Sequence, residues 1–275
     1  MKKYFVCSDL HSFFTEFKEA LVKNGFDIEN KDHILVVCGD LFDRGQETLC
    51  LYNFVRSLPD ERFIYIRGNH EDLLEECYEQ LVNGQIVSSY HISNGTLGTI
   101  MDFCQADRRF EKYVAYNPDH LVRGDVMDKM PEVLEYINHK CVNYSEIGDF
   151  IFVHGWIPCI CDDPNPYHAR KHMTYKVGWR ESSKGDWYEA SWLNGMEAWH
   201  QGVREPGKTI ICGHFHASWG WSHLKQKRQE FPNKSKKDWR KSFEPFVDDG
   251  ICAIDACTAY SGIVNIIVLE VQEDE

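Results

Sequence analysis

Five short segments of the chain end in side chains that ligate metals, and each follows an apolar run. They are Cys7-Ser8-Asp9-Leu10-His11, Gly39-Asp40-Leu41-Phe42-Asp43-Arg44-Gly45, Gly68-Asn69-His70-Glu71, Val153-His154-Gly155 and Gly213-His214-Phe215-His216. Carboxylate, imidazole and amide donors without a thiolate suit a pair of divalent transition ions better than one structural zinc. Asp9 and His11, two residues apart, can turn onto one ion, and Asp40 can bridge that ion to a second. Asn69 offers the second ion a neutral oxygen, and His154 and His214 offer it nitrogens. Two divalent ions bring four positive charges, of which Asp9 and Asp40 cancel two. The excess can hold a hydroxide and a phosphoryl group together, so the expected chemistry is phosphate-ester hydrolysis by in-line attack of a bridging hydroxide, with no covalent intermediate.

Three neighbours of these ligands add to that chemistry. The planar fork of Arg44 matches two phosphate oxygens, which assigns it substrate binding and stabilisation of transition-state charge. His70 adjoins Asn69 and is placed to face the departing oxygen, where a proton helps an alkoxide leave. Asp43 is its natural partner, able to orient and charge the imidazole. Glu71 opens the following helix and has two readings, a favourable charge at a helix N-terminus or a support for the ligands.

The ligands run from Asp9 to His216 and must converge, which favours one domain over residues 1–275. Nearly continuous apolar runs at 4–7, 34–38, 63–66, 150–153, 209–212, 251–254 and 263–271 read as strands covered on both faces. Helical patterns at 13–23, 48–56 and 71–81 alternate with the early strands, the signature of βαβ units in an α/β fold. Ligands at strand C-termini then fall on one rim of the sheet. Further helices are expected at 96–106 and 131–140, within a helical subregion of about 83–145. Residues 158–207, rich in Trp, Tyr, His, Asp and Pro, read as a lid-like insertion overhanging the site. The segment 225–241 carries eight basic residues against Glu230 and Asp238, and reads as a solvated mobile loop or as a device that steers substrate.

Composition narrows the rest. No stretch approaches the ~18–20 apolar residues of a membrane span, and the apolar part of the N-terminus is too short for a secretory signal. Eleven cysteines scattered through 275 residues, several inside strand-like runs, point to reduced core thiols and a cytoplasmic protein. Cys159-Ile160-Cys161 lacks the usual zinc or redox spacing and reads as plain loop. A net charge of −13 argues against a broad nucleic-acid-binding face but not against a small anionic substrate at a locally positive site.

Gly-Asp-x-x-Asp-Arg-Gly over 39–45, followed by Gly-Asn-His-Glu over 68–71, resembles the calcineurin-like metallophosphoesterases, and within them the phosphoprotein phosphatase branch. That branch includes bacterial and phage serine/threonine phosphatases and symmetrical dinucleoside tetraphosphatases. The resemblance covers 1–75 and is local at 150–156, 209–217 and 250–270. It implies a β-sandwich of two mixed sheets flanked by helices. It also implies one metal on Asp9, His11 and Asp40, another on Asp40, Asn69, His154 and His214, the Asp43–His70 pair, and phosphate contact by Arg44. Manganese is the first expectation for the two ions, with iron, zinc, cobalt or nickel as alternatives. The partner is then a phosphorylated substrate, a phosphoprotein or a small phosphoester.

Two departures from the branch stand out. It has one histidine in its fifth motif, whereas this chain has His214 and His216, as the wider phosphodiesterase relatives do; His216 either completes the first metal or lies outside it. The second phosphate-binding arginine of the branch is missing from 191–196, leaving Arg180 and Arg204 as candidates to replace it. The leading expectation is a serine/threonine protein phosphatase-like phosphomonoesterase. A dinucleoside polyphosphate hydrolase or phosphodiesterase is the alternative, favoured by the second histidine and by any base-stacking surface among Trp179, Trp187, Trp192 and Trp199. A regulatory module without turnover is the third reading, and the intact motifs count against it.

Overall fold

A computed structural model describes residues 1–117, 123–162 and 172–272. In chain order the elements begin β1 (Lys2–Cys7), α1 (Phe14–Lys23), β2 (His33–Cys38), α2 (Thr48–Arg56), β3 (Phe63–Ile66) and α3 (Asn69–Val82). Four helices follow, α4 (Ser89–Asn94), α5 (Thr96–Phe103), α6 (Glu111–Tyr116) and α7 (Arg123–Lys140), then the strands β4 (Cys141–Val142), β5 (Ser145–Ile147), β6 (Phe150–Phe152), β7 (Cys159–Cys161) and β8 (Met173–Tyr175). The remainder is α8 (Lys184–Ser191), α9 (Gly195–His200), β9 (Thr209–Cys212), α10 (Ala217–His223), β10 (Phe246–Asp248), β11 (Ile251–Ala253), α11 (Thr258–Ser261) and β12 (Ile267–Val271).

Two five-stranded mixed sheets result, ordered β12-β1-β2-β3-β4 and β10-β11-β9-β6-β5. Within the first, β1 to β4 run parallel and β12 pairs antiparallel with β1. In the second, β11, β9 and β6 are parallel, with antiparallel β10 and β5 at the edges.

The continuous apolar runs are explained by the two-residue side-chain period of a strand. In β2, Leu35 and Val37 face helices, while Ile34, Val36 and Cys38 face the second sheet. In the second sheet Phe152, Ile211 and Cys252 meet them, and Ile151, Ile210, Cys212 and Ile251 turn outward to a third cluster under α8 and α9. The chain is thus an α/β sandwich of two mixed sheets between helical layers. Each fully buried aliphatic side chain contributes roughly 1.5–3 kcal/mol, so β2, buried at all six positions, is a strong anchor for the loop that follows it.

Several expectations need correction. Pro131 lies inside α7 rather than at its start; the helix already begins at Arg123. Only the second half of 263–271 is a strand, because Asn265 turns its amide to Phe243 O and Ile254 O at 2.8 and 3.0 Å. Cys159-Ile160-Cys161 is not loop but a strand paired antiparallel with β8. The strands β4, β5, β8 and β10 are too short, at two or three residues, for a period to be legible. Among the described residues no helix is long and apolar enough to cross a membrane.

Candidate metal centre

The loops after β1, β2, β3, β6 and β9 meet at one rim, and the backbone itself ties them together. Asp9 N donates to Gly39 O at 3.2 Å, His11 N to Asp40 O at 3.1 Å, and Gly213 N to His154 O at 2.8 Å. To turn side chains inward straight after a strand, the chain adopts left-handed backbone. Asp9, His11, Ser12, Asp40, Asp43, Arg44 and His214 account for seven of the ten non-glycine residues with positive φ among those described. Such conformations cost about 1–3 kcal/mol each and persist where surrounding structure over-determines them. Gly39 has φ +81°, and a Cβ there would stand 2.3 Å from His154 Nδ1.

Asp40 lies at the centre of the site. Its Oδ2 is 3.7 Å from His11 Nε2 and 3.8 Å from His70 Nε2, and its Oδ1 is 3.3 Å from His154 Nε2. Two groups of potential ligands therefore share this carboxylate, His11–Asp40–His70 and Asp40–His154–His214, each with its ligand atoms within 4.8 Å of one another. Asn69 Oδ1 is 2.8 Å from His154 Nε2. Of the expected ligands, Asp9 joins neither group; its carboxylate accepts the His214 N–H at 3.2 and 3.0 Å. His216 also stands apart, with Nδ1 2.9 Å from Ser218 Oγ and Nε2 3.5 Å from Glu230.

The donor chemistry fits divalent ions. His154 Nδ1 is 2.9 Å from Cys38 O, and His11 Nδ1 is 2.9 Å from Phe42 O, so in both rings Nδ1 donates and Nε2 presents its lone pair to Asp40. A lone pair facing two oxygens is repulsive unless a cation or proton lies among them. At His154 Nε2 those oxygens are Asn69 Oδ1 at 2.8 Å and Asp40 Oδ1 at 3.3 Å, a mixed nitrogen and oxygen donor set that a divalent ion would take. Burial, reinforced by the nearby Arg44 and histidine charges, holds the pKa values of His11 and His214 well below the usual range, which keeps them neutral and able to ligate. Burial raises the Asp40 carboxyl, and neighbouring Asp9 and Glu71 add to the rise against the opposing His70.

Beside these groups, His70 Nδ1 is 2.6 Å from Asp43 Oδ2, and its Nε2 is 3.3 Å from Arg44 Nη2. Burial works against the His70 charge, but Asp40 and Asp43 outweigh it and raise the pKa. Sequence reasoning missed what holds Asp43. Thr96 and Thr99, at the start of α5, each donate a hydroxyl to its carboxylate at 2.7 Å. It also missed Asp255, buried after β11, whose pKa is raised by burial and by Asp9. Asp255 shares the strand-end placement of the recognised ligands, the one signal that could have found it. Glu71 is 1% exposed and accepts from Asp40 N, Leu41 N, Gly68 N and Tyr65 Oη, binding the loops after β2 and β3 together.

The candidate replacements for the missing arginine are committed elsewhere. Arg180 pairs with Glu146 and Glu205 and stacks on Trp179, and Arg204 stacks on Trp199. Trp179, Trp187 and Trp199 are core residues. Trp192 reaches the site, edge-on to His214 at 5.9 Å, and Trp187 lines a pocket together with His154.

The chain matches the calcineurin-like phosphoesterase family over residues 2–248. No curated protein sequence matches it. Similar solved structures include a putative diadenosine tetraphosphatase, 14% identical, covering 97% of this chain and 89% of that one with a TM-score of 0.47. A cold-active protein-tyrosine phosphatase of a psychrophilic Shewanella is 15% identical, covering 98% and 76%, with a TM-score of 0.44. A protein serine/threonine phosphatase from Saccharomyces cerevisiae is 15% identical, covering 100% and 81%, also at 0.44. Likeness at that level adds nothing on substrate, and the assignment rests on the family match together with the residues at the rim. The chain belongs to the calcineurin-like phosphoesterases and is a metal-dependent phosphoesterase.

Proposed function

We propose that the protein is a binuclear phosphomonoesterase of the protein phosphatase type, acting on phosphoserine or phosphothreonine in proteins. The observation that carries this reading is one carboxylate, Asp40, facing His11 and His70 on one side and His154 and His214 on the other, with Arg44 and Asp43 against His70. His11 and Asp40 would hold one divalent ion, with Asp9 added on the resemblance rather than on the ligand groups above, and Asp40, Asn69, His154 and His214 would hold the other, with manganese the first choice for assay. When bound, the ions supply Lewis acidity and an ionised water near neutral pH. His216 is left to Ser218 and Glu230.

The protein's own residues supply the rest. Arg44 grips two phosphoryl oxygens and balances charge as the bond to the ester oxygen breaks. His70, beside that guanidinium, gives its Nε2 proton to the departing alkoxide, so that water oxygen replaces ester oxygen and an alcohol leaves. Asp43 accepts from Nδ1 and, held by Thr96 and Thr99, fixes the ring. Eleven free cysteines, five of them buried, support a reducing cytoplasmic setting.

The dinucleoside reading loses support because three of the four tryptophans are core. Hydrolysis of p-nitrophenyl phosphate, bis-p-nitrophenyl phosphate, a phosphopeptide and diadenosine tetraphosphate, measured side by side with added manganese, tests the ranking. Preference for the diester or the dinucleotide overturns it.

A further inference from the structure

Residues 225–241 carry eight basic side chains against two acidic, a net of +6 in a chain of −13, which leaves −19 for the remainder. Several side chains of the segment are engaged with the rest of the molecule. Arg228 stacks on Trp221 at 4.1 Å and pairs with Glu244 at 3.0 Å, while Lys225 pairs with Asp248. Tyr260 Oη donates to Pro232 O at 3.2 Å. Those contacts consume part of the charge. Lys227, Lys234, Lys236, Lys237 and Arg240 stay exposed, without a carboxylate in ion-pair range among the described residues. Lys227, Lys236 and Lys241 line a cleft of about 340 Å³ together with Trp239 and one acid, Asp238.

Aromatic rings join the patch to His216, two residues along the same loop from His214. Phe231, half exposed, packs on His216 at 4.9 Å and on Tyr260 at 5.4 Å, and Lys234 Nζ lies 4.6 Å over the Tyr260 ring. The Lys234 ammonium is thus within about 15 Å of His216, the span of four to five residues of extended peptide. We propose that the 225–241 surface docks an acidic stretch of the phosphoprotein substrate, a few residues from the phosphorylated side chain. Charge complementarity selects the occupant. A long polyanion such as nucleic acid would extend past this small patch onto a strongly acidic molecule, whereas a short acidic run meets only the cations. Phe231 and Tyr260 give the intervening residues an apolar surface.

The proposal rests on the phosphoprotein reading above, and two readouts separate their failures. The first is kcat/KM of the full chain, with added manganese, on phosphoserine peptides that differ only in four flanking residues, all Glu or all Lys, with p-nitrophenyl phosphate as the small-substrate control. Three or four exposed ion pairs, each worth a factor of about two, predict a preference of about tenfold for the acidic peptide at low salt. That preference shrinks at ~1 M salt, where the Debye length is about 3 Å. The triple substitution Lys227→Glu, Lys236→Glu, Lys237→Glu should abolish it and leave p-nitrophenyl phosphate turnover unchanged. The second readout is fluorescence anisotropy of a labelled, unphosphorylated Glu-rich peptide, which needs no turnover. Binding by the parent chain and not by the triple variant supports the surface even where no phosphoester is hydrolysed, a result that sinks the enzyme reading alone. Equal use of both peptides, unchanged preference in the variant, or displacement of the labelled peptide by oligothymidylate at lower concentration than by unlabelled peptide overturns the inference.

Discussion

Glu71→Gln separates two physical roles for a carboxylate at a helix start. As a charge near the N-terminus of α3, Glu71 would contribute about 0.3–1 kcal/mol. The structure gives it more to do. Oε1 accepts from Leu41 N at 3.0 Å and Tyr65 Oη at 2.6 Å, and Oε2 from Asp40 N at 3.1 Å and Gly68 N at 2.8 Å. A glutamine does best with its oxygen toward Asp40 and Gly68 and its NH2 toward Tyr65, whose hydroxyl can turn to accept. Leu41 N–H then faces another donor, a buried unsatisfied group costing about 1–3 kcal/mol. The two bonds that remain lose their charge assistance, about 1 kcal/mol each. Relief of the buried charge offsets part of this, so the net expectation is a loss of about 2–4 kcal/mol. Urea unfolding of the metal-free protein reads it directly. With a slope of about 2–3 kcal/mol per molar, the midpoint should fall by about 1 M or more. A loss below 1 kcal/mol at unchanged slope would return Glu71 to the helix-end role and refute the reasoning.

Three further outcomes are expected. Asp43→Asn should keep its metal content, measured by elemental analysis, while kcat falls about 10²- to 10⁴-fold on alkyl phosphates and much less on p-nitrophenyl phosphate, whose leaving group needs no proton; equal losses on both would remove the acid role of His70. Gly39→Ala combines a strained φ with a Cβ 2.3 Å from His154 Nδ1, so metal stoichiometry should drop, and a fully loaded, active variant would contradict the close approach. Metal binding should release protons. Burial raises the Asp40 pKa, so the metal-free carboxyl keeps its proton to higher pH than unfolded aspartate does, whereas the lowered values of His11 and His214 leave them less to release. Calorimetric titration in buffers of different ionisation heat should show heats that depend on the buffer, with more protons released at acidic than at alkaline pH, and heats independent of buffer would count against it.

The amino-acid order alone determined which strands are central and which side chains stand at their ends. Both are local facts: β2 reads as a buried strand because its six residues are apolar on both faces, and Asp40 must follow it. The Asp43–His70 pairing was legible for a similar reason, since two short motifs with fixed chemistry leave few geometries. Tertiary structure decided what depends on contacts between distant elements. Thr96 and Thr99 carry no motif, and reach Asp43 only because α5 packs across the loop after β2. The two-residue spacing is the same in Asp9-x-His11 and His214-x-His216, yet His11 faces Asp40 and His216 faces Glu230, because side-chain direction follows the left-handed turns that neighbouring loops impose. A strand's own period is set by its backbone; the position of a side chain in space is set by what packs against it.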